Sequence, residues 1–280
     1  MTHVANTSKV WFITGASSGF GKALALELLQ QGHQVVALAR NTSALADVTA
    51  GAPDRVLPLG LDVTKATQID DAVAKAYEHF GRIDVLVNNA GFSIIGAVEE
   101  TDDATLRDTI ETMFFGPARL TKAVLPKMRA AGRGTIVQMS SVGGFVTAPG
   151  FGAYCAAKHA LEAYSESLSA EVAPHGIRVL IVEPGAFRTA LFGSAFRSMP
   201  ALPIYEATVG GTRKYVADSA GKQPGDPVKA AQAIIAMVHA ETAPLRLPLG
   251  PDAIDGIRAK LDRVASDVGQ TEAIARAAVF

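Results

Sequence analysis

The sequence predicts an α/β fold, a doubly wound parallel sheet in a single domain covering residues 1–280. Three observations lead there. Short apolar runs alternate along the chain with segments whose apolar residues recur at helical spacing. The runs carry few polar residues, as strands do when helices cover both faces of a sheet. A glycine-rich turn joins the first run to the first helical segment, at the strand–helix junction where such sheets bind nucleotides.

The elements follow in order. Residues 10–14 read as a buried strand, and 22–31 as a helix stopped by Gly32. Residues 35–39 form a second strand, and 56–61 a third, interrupted at its edge by Pro58. Ile69, Val73, Ala76, Tyr77 and Phe80 then recur at helical spacing, with Gly81 as the stop. Residues 85–87 are a fourth strand, and 106–128 a long helix disturbed by Gly116 and Pro117. A fifth strand is expected at 135–139, a helix at 153–172 and a sixth strand at 178–182. Residues 190–226 break the rhythm, with Phe192, Phe196, Met199, Leu202, Ile204 and Tyr205 set among glycine and proline. A long irregular segment inside a compact domain is usually functional, so a lid over a ligand is expected; the alternative is a surface elaboration packed on its own aromatics. Residues 227–239 read as a helix, 245–247 as a last strand, and Asp252 as the N-cap of a final helix.

Composition narrows the function. Hydrophobic residues make up 49% of the 280, enough for a sizeable core. The net charge is −1 without a Lys/Arg cluster, which argues against nucleic acid as the main partner. Cys155 is the single cysteine and fits a reducing compartment. The first nine residues are polar and lack the apolar stretch of a signal peptide, and no run reaches the roughly 18 apolar residues of a membrane span. A cytoplasmic protein is expected.

Two groups of residues carry chemistry. Tyr154 and Lys158 are four apart, on one face of the predicted helix. An ammonium beside a phenol favours the phenolate, which makes Tyr154 a candidate general acid/base. The turn Gly15-Ala16-Ser17-Ser18-Gly19-Phe20-Gly21 precedes a helix N-terminus and suits a pyrophosphate. Together they suggest hydride transfer to or from a carbonyl. The second strand ends at Ala39 with no acid to hold a ribose 2′-hydroxyl; Arg40 follows instead and can pair with a 2′-phosphate, which favours NADP(H). Ser17 and Thr14 offer hydroxyl donors nearby. Asp62-Val63 and Asn88-Asn89-Ala90-Gly91 follow the third and fourth strands and read equally as turns or ligand loops. The six histidines show no metal-ligand spacing, and Cys155 reads as packing.

The order and spacing of these elements, with Ser141 and Pro184-Gly185, resemble the short-chain dehydrogenase/reductase family over residues 10–189, in its branch of about 250 residues. The resemblance implies a Rossmann-type fold, with Asp62 and Val63 at adenine and Asn88, Asn89, Ala90 and Gly91 lining the nucleotide pocket. It implies that Ser141 hydrogen-bonds the substrate oxygen and that Tyr154 transfers the proton. Lys158 would hold the nicotinamide ribose and depress the Tyr154 pKa. Pro184, Gly185 and Thr189 would lie against the carboxamide. The stretch 92–98 and Phe115-Gly116-Pro117 are most similar to members acting on steroids, retinoids and other apolar carbonyls, so the expected substrate is a small apolar carbonyl or alcohol. Phe92, Phe145, Phe151, Phe187 and Phe192 are candidate walls. A homodimer or homotetramer through the helices bearing Met113 and Tyr154 is implied. Met113 stands where the family usually has an asparagine that supports a proton relay, and a thioether cannot make those hydrogen bonds. Backbone support of the relay, reduced activity and an altered variant all remain open. The rival readings are a non-catalytic NADP-sensing protein and an NAD-linked alcohol dehydrogenase.

Overall fold

The computed structural model describes residues 8–280, so His3 and most of the polar N-terminal segment lie outside the described residues. Seven parallel strands form the sheet: Val10–Thr14 (β1), Gln34–Ala39 (β2), Val56–Gly60 (β3), Val85–Asn88 (β4), Gly134–Met139 (β6), Ile177–Pro184 (β7) and Arg246–Leu249 (β9). Two three-residue strands, Ser93–Ile95 (β5) and Phe196–Ser198 (β8), pair in parallel outside it. The sheet order is β3-β2-β1-β4-β6-β7-β9. Pro58 pairs with Ala37 on the edge strand β3, where the missing N–H costs no ladder bond on the open side.

Successive residues of β1 face opposite sides. Trp11 and Ile13 pack toward Gly19–Gln30 (α1) and Pro227–His239 (α8), whereas Val10 and Phe12 pack toward Ala66–Phe80 (α3), Gly116–Ala131 (α5) and Gly152–Val172 (α6). The whole strand is thus buried, which explains its unbroken apolar sequence. The short helix Ala46–Ala50 (α2) covers the start of the sheet near β3.

The expected long helix is Asp103–Ile110 (α4) continuing into α5 through a wider π turn, Glu111–Phe115. The disturbance falls just before Gly116 rather than at the Gly-Pro pair. Pro117 sits in the first turn of α5, a position that tolerates the lost N–H. Residues 190–226 are more regular than expected: they hold β8, a π turn at Glu206–Gly210 and a helix at Gly211–Ser219 (α7). The final helix is Pro251–Arg276 (α9). Asp252 is not its N-cap. It lies inside the first turn and accepts the Ala186 N–H at 2.7 Å, while Gly250 caps. Among the described residues, no helix is long and apolar enough to cross a membrane.

Candidate active site

The sheet order reverses beside β1, between β1 and β4, and ligands bind doubly wound sheets outside the carboxyl ends at such a point. A cavity of about 450 Å³ opens there. Its floor is the glycine turn. Gly15 has φ +68°, a conformation glycine adopts without strain. A Cβ on Gly21 would lie 2.4 Å from the Gly15 carbonyl oxygen and 2.6 Å from Asn89 Nδ2. Only a bare backbone lets α1 start so close to the turn. Gly21 is therefore beneath the wall, while Gly15, Ser17, Ser18, Gly19 and Phe20 line it. The positive end of α1 faces the space they enclose, an arrangement suited to phosphate.

Two neighbouring residues serve the scaffold instead. The Thr14 hydroxyl donates to the Val87 carbonyl at 3.2 Å and accepts from the Asn89 and Ala90 N–H groups at 2.9 and 3.0 Å. It locks the loop after β4 to the end of β1, so its hydroxyl is taken up within the scaffold although Thr14 borders the cavity. Asn88 donates to Gln138 Oε1 at 2.9 Å inside the sheet, whereas Asn89, Ala90 and Gly91 reach the cavity.

Arg40, Asp62 and Val63 line the far end. Burial works against ionisation of Asp62. Hydrogen bonds from the Thr64 N–H and hydroxyl, at 3.0 and 2.8 Å, and the nearby Lys65 and Arg40 charges outweigh it and hold the carboxyl below its usual range.

Ser141, Tyr154 and Lys158 meet at the opposite end, beside Pro184, Gly185 and Thr189. The loop after β6 presents Ser141, whose Oγ accepts the Gly143 N–H at 3.0 Å and donates to the Pro184 carbonyl at 3.4 Å. Helix α6 presents Tyr154 and Lys158 one turn apart, both buried. Lys158 Nζ donates to the Met139 carbonyl at 2.7 Å and lies 5.8 Å from the Tyr154 ring centroid. Burial pushes the Tyr154 phenol up to about 12; a hydrogen bond with Ser141 opposes this and Cys155 adds to it. Burial likewise pulls Lys158 down to about 8, against the pull of Glu162. Burial is thus the largest influence on the phenol, and the Lys158 ammonium, expected to depress Tyr154, donates to a backbone carbonyl. Cys155 is buried with its thiol pushed up by burial, consistent with packing.

The side beyond Tyr154 is apolar. Phe92, Met113, Leu191, Phe192 and Phe196 line it, with Phe187 near Phe20. At the rim, Arg197 lies 3.7 Å over the Phe92 ring and pairs with Asp108 at 2.5 Å. Two expected wall residues are elsewhere. Phe145 lies under the Arg246 guanidinium, and Phe151 packs behind Tyr154 and Phe192. Met113, in the π turn, is fully enclosed with Phe92, Ile94, Tyr154 and Cys155. A Cβ on Gly91 would be 3.3 Å from its sulfur.

One charged cluster was not anticipated. Glu162, one turn beyond Lys158, and Glu183, at the end of β7, are buried together around Arg246 of β9, at 2.8 and 3.4 Å. Burial and the neighbouring Glu162 push Glu183 up to about 7, and burial together with Glu166 raises Glu162. The four-residue step from Lys158 to Glu162 was visible in the sequence. The remote Arg246 that completes the cluster was not.

A glycine turn at the switch point of a parallel sheet, facing a buried Ser–Tyr–Lys group, defines a nucleotide-dependent oxidoreductase site. The short chain dehydrogenase family model matches residues 9–200, and the chain belongs to that short-chain dehydrogenase/reductase family. It is 40% identical to "Oxidoreductase BOA17" of Botryotinia fuckeliana over 89% of this chain and 91% of that protein. A crystal structure of a short-chain dehydrogenase from Streptomyces avermitilis is 49% identical with a TM-score of 0.93, covering 98% of this chain and 100% of that one. A short chain dehydrogenase from Burkholderia cenocepacia in complex with NADP is 26% identical with a TM-score of 0.71, covering 98% of each. A 3-ketoacyl-(acyl-carrier-protein) reductase from Brucella melitensis complexed with NADH is 26% identical with a TM-score of 0.73, covering 86% of this chain and 96% of that one. The dinucleotide is common to these two relatives; the 2′-phosphate is not.

Proposed function

We propose that this protein is an NADP(H)-dependent reductase or dehydrogenase acting on an apolar ketone, aldehyde or secondary alcohol. The observation that carries this reading is that one cavity joins the glycine turn to Ser141, Tyr154 and Lys158. The residues fit the cofactor: Gly15 and Gly21 let the turn and α1 pack closely enough for the helix N-terminus to face the cavity, and Arg40 offers a cation beyond the end of β2. When bound, the nicotinamide supplies or accepts the hydride. Ser141 positions the substrate oxygen by hydrogen bonding. Tyr154 Oη donates its proton to that oxygen in reduction and receives one in oxidation. Burial, which raises the phenol pKa, suits the first direction. Lys158 would hold the ribose hydroxyls, and Pro184, Gly185 and Thr189 would orient the carboxamide.

The phenylalanine and methionine wall beyond Tyr154 supports an apolar substrate, since such pockets are mostly hydrophobic with a few polar anchors. The segment 190–226 acts as the lid: its first residues form part of that wall, and β8 fastens it to β5. The single buried cysteine supports a cytoplasmic location, and the helices bearing Met113 and Tyr154 are the proposed face of a homodimer or homotetramer. NADPH oxidation over a panel of carbonyls tests the reading. Turnover of bulky alicyclic or aryl ketones ahead of small polar ones is expected. No turnover of any carbonyl, with NADPH bound, would favour a cofactor-sensing role instead.

A further inference from the structure

Helix α9 carries a surface that the nucleotide site does not use. Its 26 residues extend about 39 Å at 1.5 Å per residue. Only its beginning touches the body: Ala253 is buried, and a Cβ on Gly256 would lie 3.7 Å from Val142 and Val146. Every residue from 261 to 276 is exposed. Most helical stability in proteins comes from tertiary packing of an apolar face, and Gly269 weakens this helix further by about 1 kcal/mol relative to alanine.

The exposed part is nevertheless patterned. Ile254, Ile257, Leu261, Val264, Val268, Thr271 and Ala275 recur at alternating steps of three and four. Leu261, Val264 and Val268 are 52%, 44% and 60% exposed. This is the narrow seam of a coiled coil, not the broader face of a helix packed on its own core. The match to the Streptomyces avermitilis structure covers 98% of this chain, so it extends along this helix.

The flanking charges select the occupant. With Leu261 at position a and Val264 at d, Arg258 and Lys260 flank the seam in the first half, and Asp267 and Glu272 in the second. Glu272 also pairs with Arg276 of its own helix. A parallel pair of identical helices would set Asp267 against Glu272 of the partner subunit, like against like. An antiparallel pair sets each basic half against the other copy's acidic half. Charges at such positions determine partner and orientation.

We propose that α9 docks on α9 of a second copy of this chain as an antiparallel two-helix coiled coil about a twofold axis. Leu261 packs near Val264 of the partner subunit, and Lys260 lies beside the partner subunit's Asp267. The interface is self-complementary, as a twofold contact must be. It is separate from the face on α5 and α6, so the two together would make a tetramer.

Light-scattering mass of the full chain across a concentration series tests this, with NADPH binding recorded as a check on folding. Leu261→Asp with Val264→Asp is expected to halve the mass and leave NADPH affinity intact. Lys260→Asp should weaken assembly, and Lys260→Asp with Asp267→Lys should restore it. An unchanged mass in the apolar double variant overturns the proposal. So does a reversed charge pair that fails to restore assembly. A wild-type chain that stays monomeric also overturns it and leaves the seam to a different protein.

Discussion

Exchanging Arg40 for aspartate is expected to reverse the cofactor preference. Arg40 directly follows β2, is exposed and lines the cavity near Asp62. A hydrogen bond to a charged group contributes about 1.5–3 kcal/mol. Because Arg40 is exposed, the low end applies, so Arg40→Ala should weaken NADPH binding about tenfold and leave NADH almost unchanged. Arg40→Asp adds a second carboxylate near Asp62, which is already held ionised, and so repels a 2′-phosphate. It also supplies the acceptor for a ribose hydroxyl that the natural strand end lacks. The combined change in the NADPH:NADH ratio of kcat/KM is expected to be about 10²–10³-fold. Measurements at low and high salt add a check, because an exposed charge pair is screened: the wild-type preference for NADPH should shrink as salt rises. A ratio that moves less than about threefold, or a loss equal for both cofactors, would refute the assignment of Arg40 to the phosphate.

Tyr154→Phe should keep NADPH binding and lower turnover by about 10²–10⁴-fold, the usual contribution of a general acid/base; an unchanged rate would place the proton elsewhere. Gly21→Ala drives a methyl onto the Gly15 carbonyl, so thermal unfolding should show a loss of about 1–3 kcal/mol together with weaker cofactor binding. Met113→Asn places an amide in the enclosure formed by Phe92, Tyr154 and Cys155; lower stability without a gain in kcat is expected, and a raised kcat would show that the relay lacked this group. His33 is fully buried, accepts the Lys9 N–H on Nδ1 at 3.1 Å, and is lowered to about 4 by burial, then by His239 and Lys9. The unfolded chain, with an ordinary value of 6.5, binds more protons between those values. This contribution is therefore complete above about pH 6.5 and is lost by about pH 4, at most about 3 kcal/mol. His33→Asn should flatten that acid limb in denaturant titrations, and an unaltered slope would reject the burial of neutral histidine as its cause.

The parallel strands were legible because burial on both faces leaves an apolar run that needs no partner to be read. The three-residue strands β5 and β8 were not, since so short a segment has no period. The π turn at Glu111–Phe115 was equally hidden: one wider turn inside a continuous helix leaves the apolar spacing nearly intact, and the only sign was the neighbouring Gly-Pro pair. Where single polar residues were read too locally, tertiary hydrogen bonds decided. Thr14 borders the cavity and Asn88 stands next to it in sequence, but their side chains satisfy buried backbone and amide groups between strands. Asp252 looked like a cap because it starts a helix, yet its carboxylate is taken by the N–H of Ala186, from a loop 66 residues away. Arg40, Asp62, Ser141, Tyr154 and Lys158 were readable because motif spacing and strand ends place them directly on the cavity. Their electrostatics were not, because desolvation depends on what packs around them.

That dependence bears on Met113. The π turn places Met113 in a buried apolar cluster with Phe92, Ile94 and Tyr154, and a Cβ on Gly91 would lie 3.3 Å from its sulfur. The same side chain forms part of the cavity wall beside Phe92 and Phe192. A methionine fills an irregular apolar gap well, and an unpartnered amide in its place would carry a desolvation cost of about 1–3 kcal/mol. The polar groups near Lys158 come from another direction, where Glu162 follows on α6 and shares Arg246 with Glu183. The substitution and the aromatic wall therefore belong together. Both make the space beyond Tyr154 more apolar, burial in such surroundings raises the phenol pKa, and on the proposed function this pocket would suit a carbonyl substrate with hydrocarbon flanking groups.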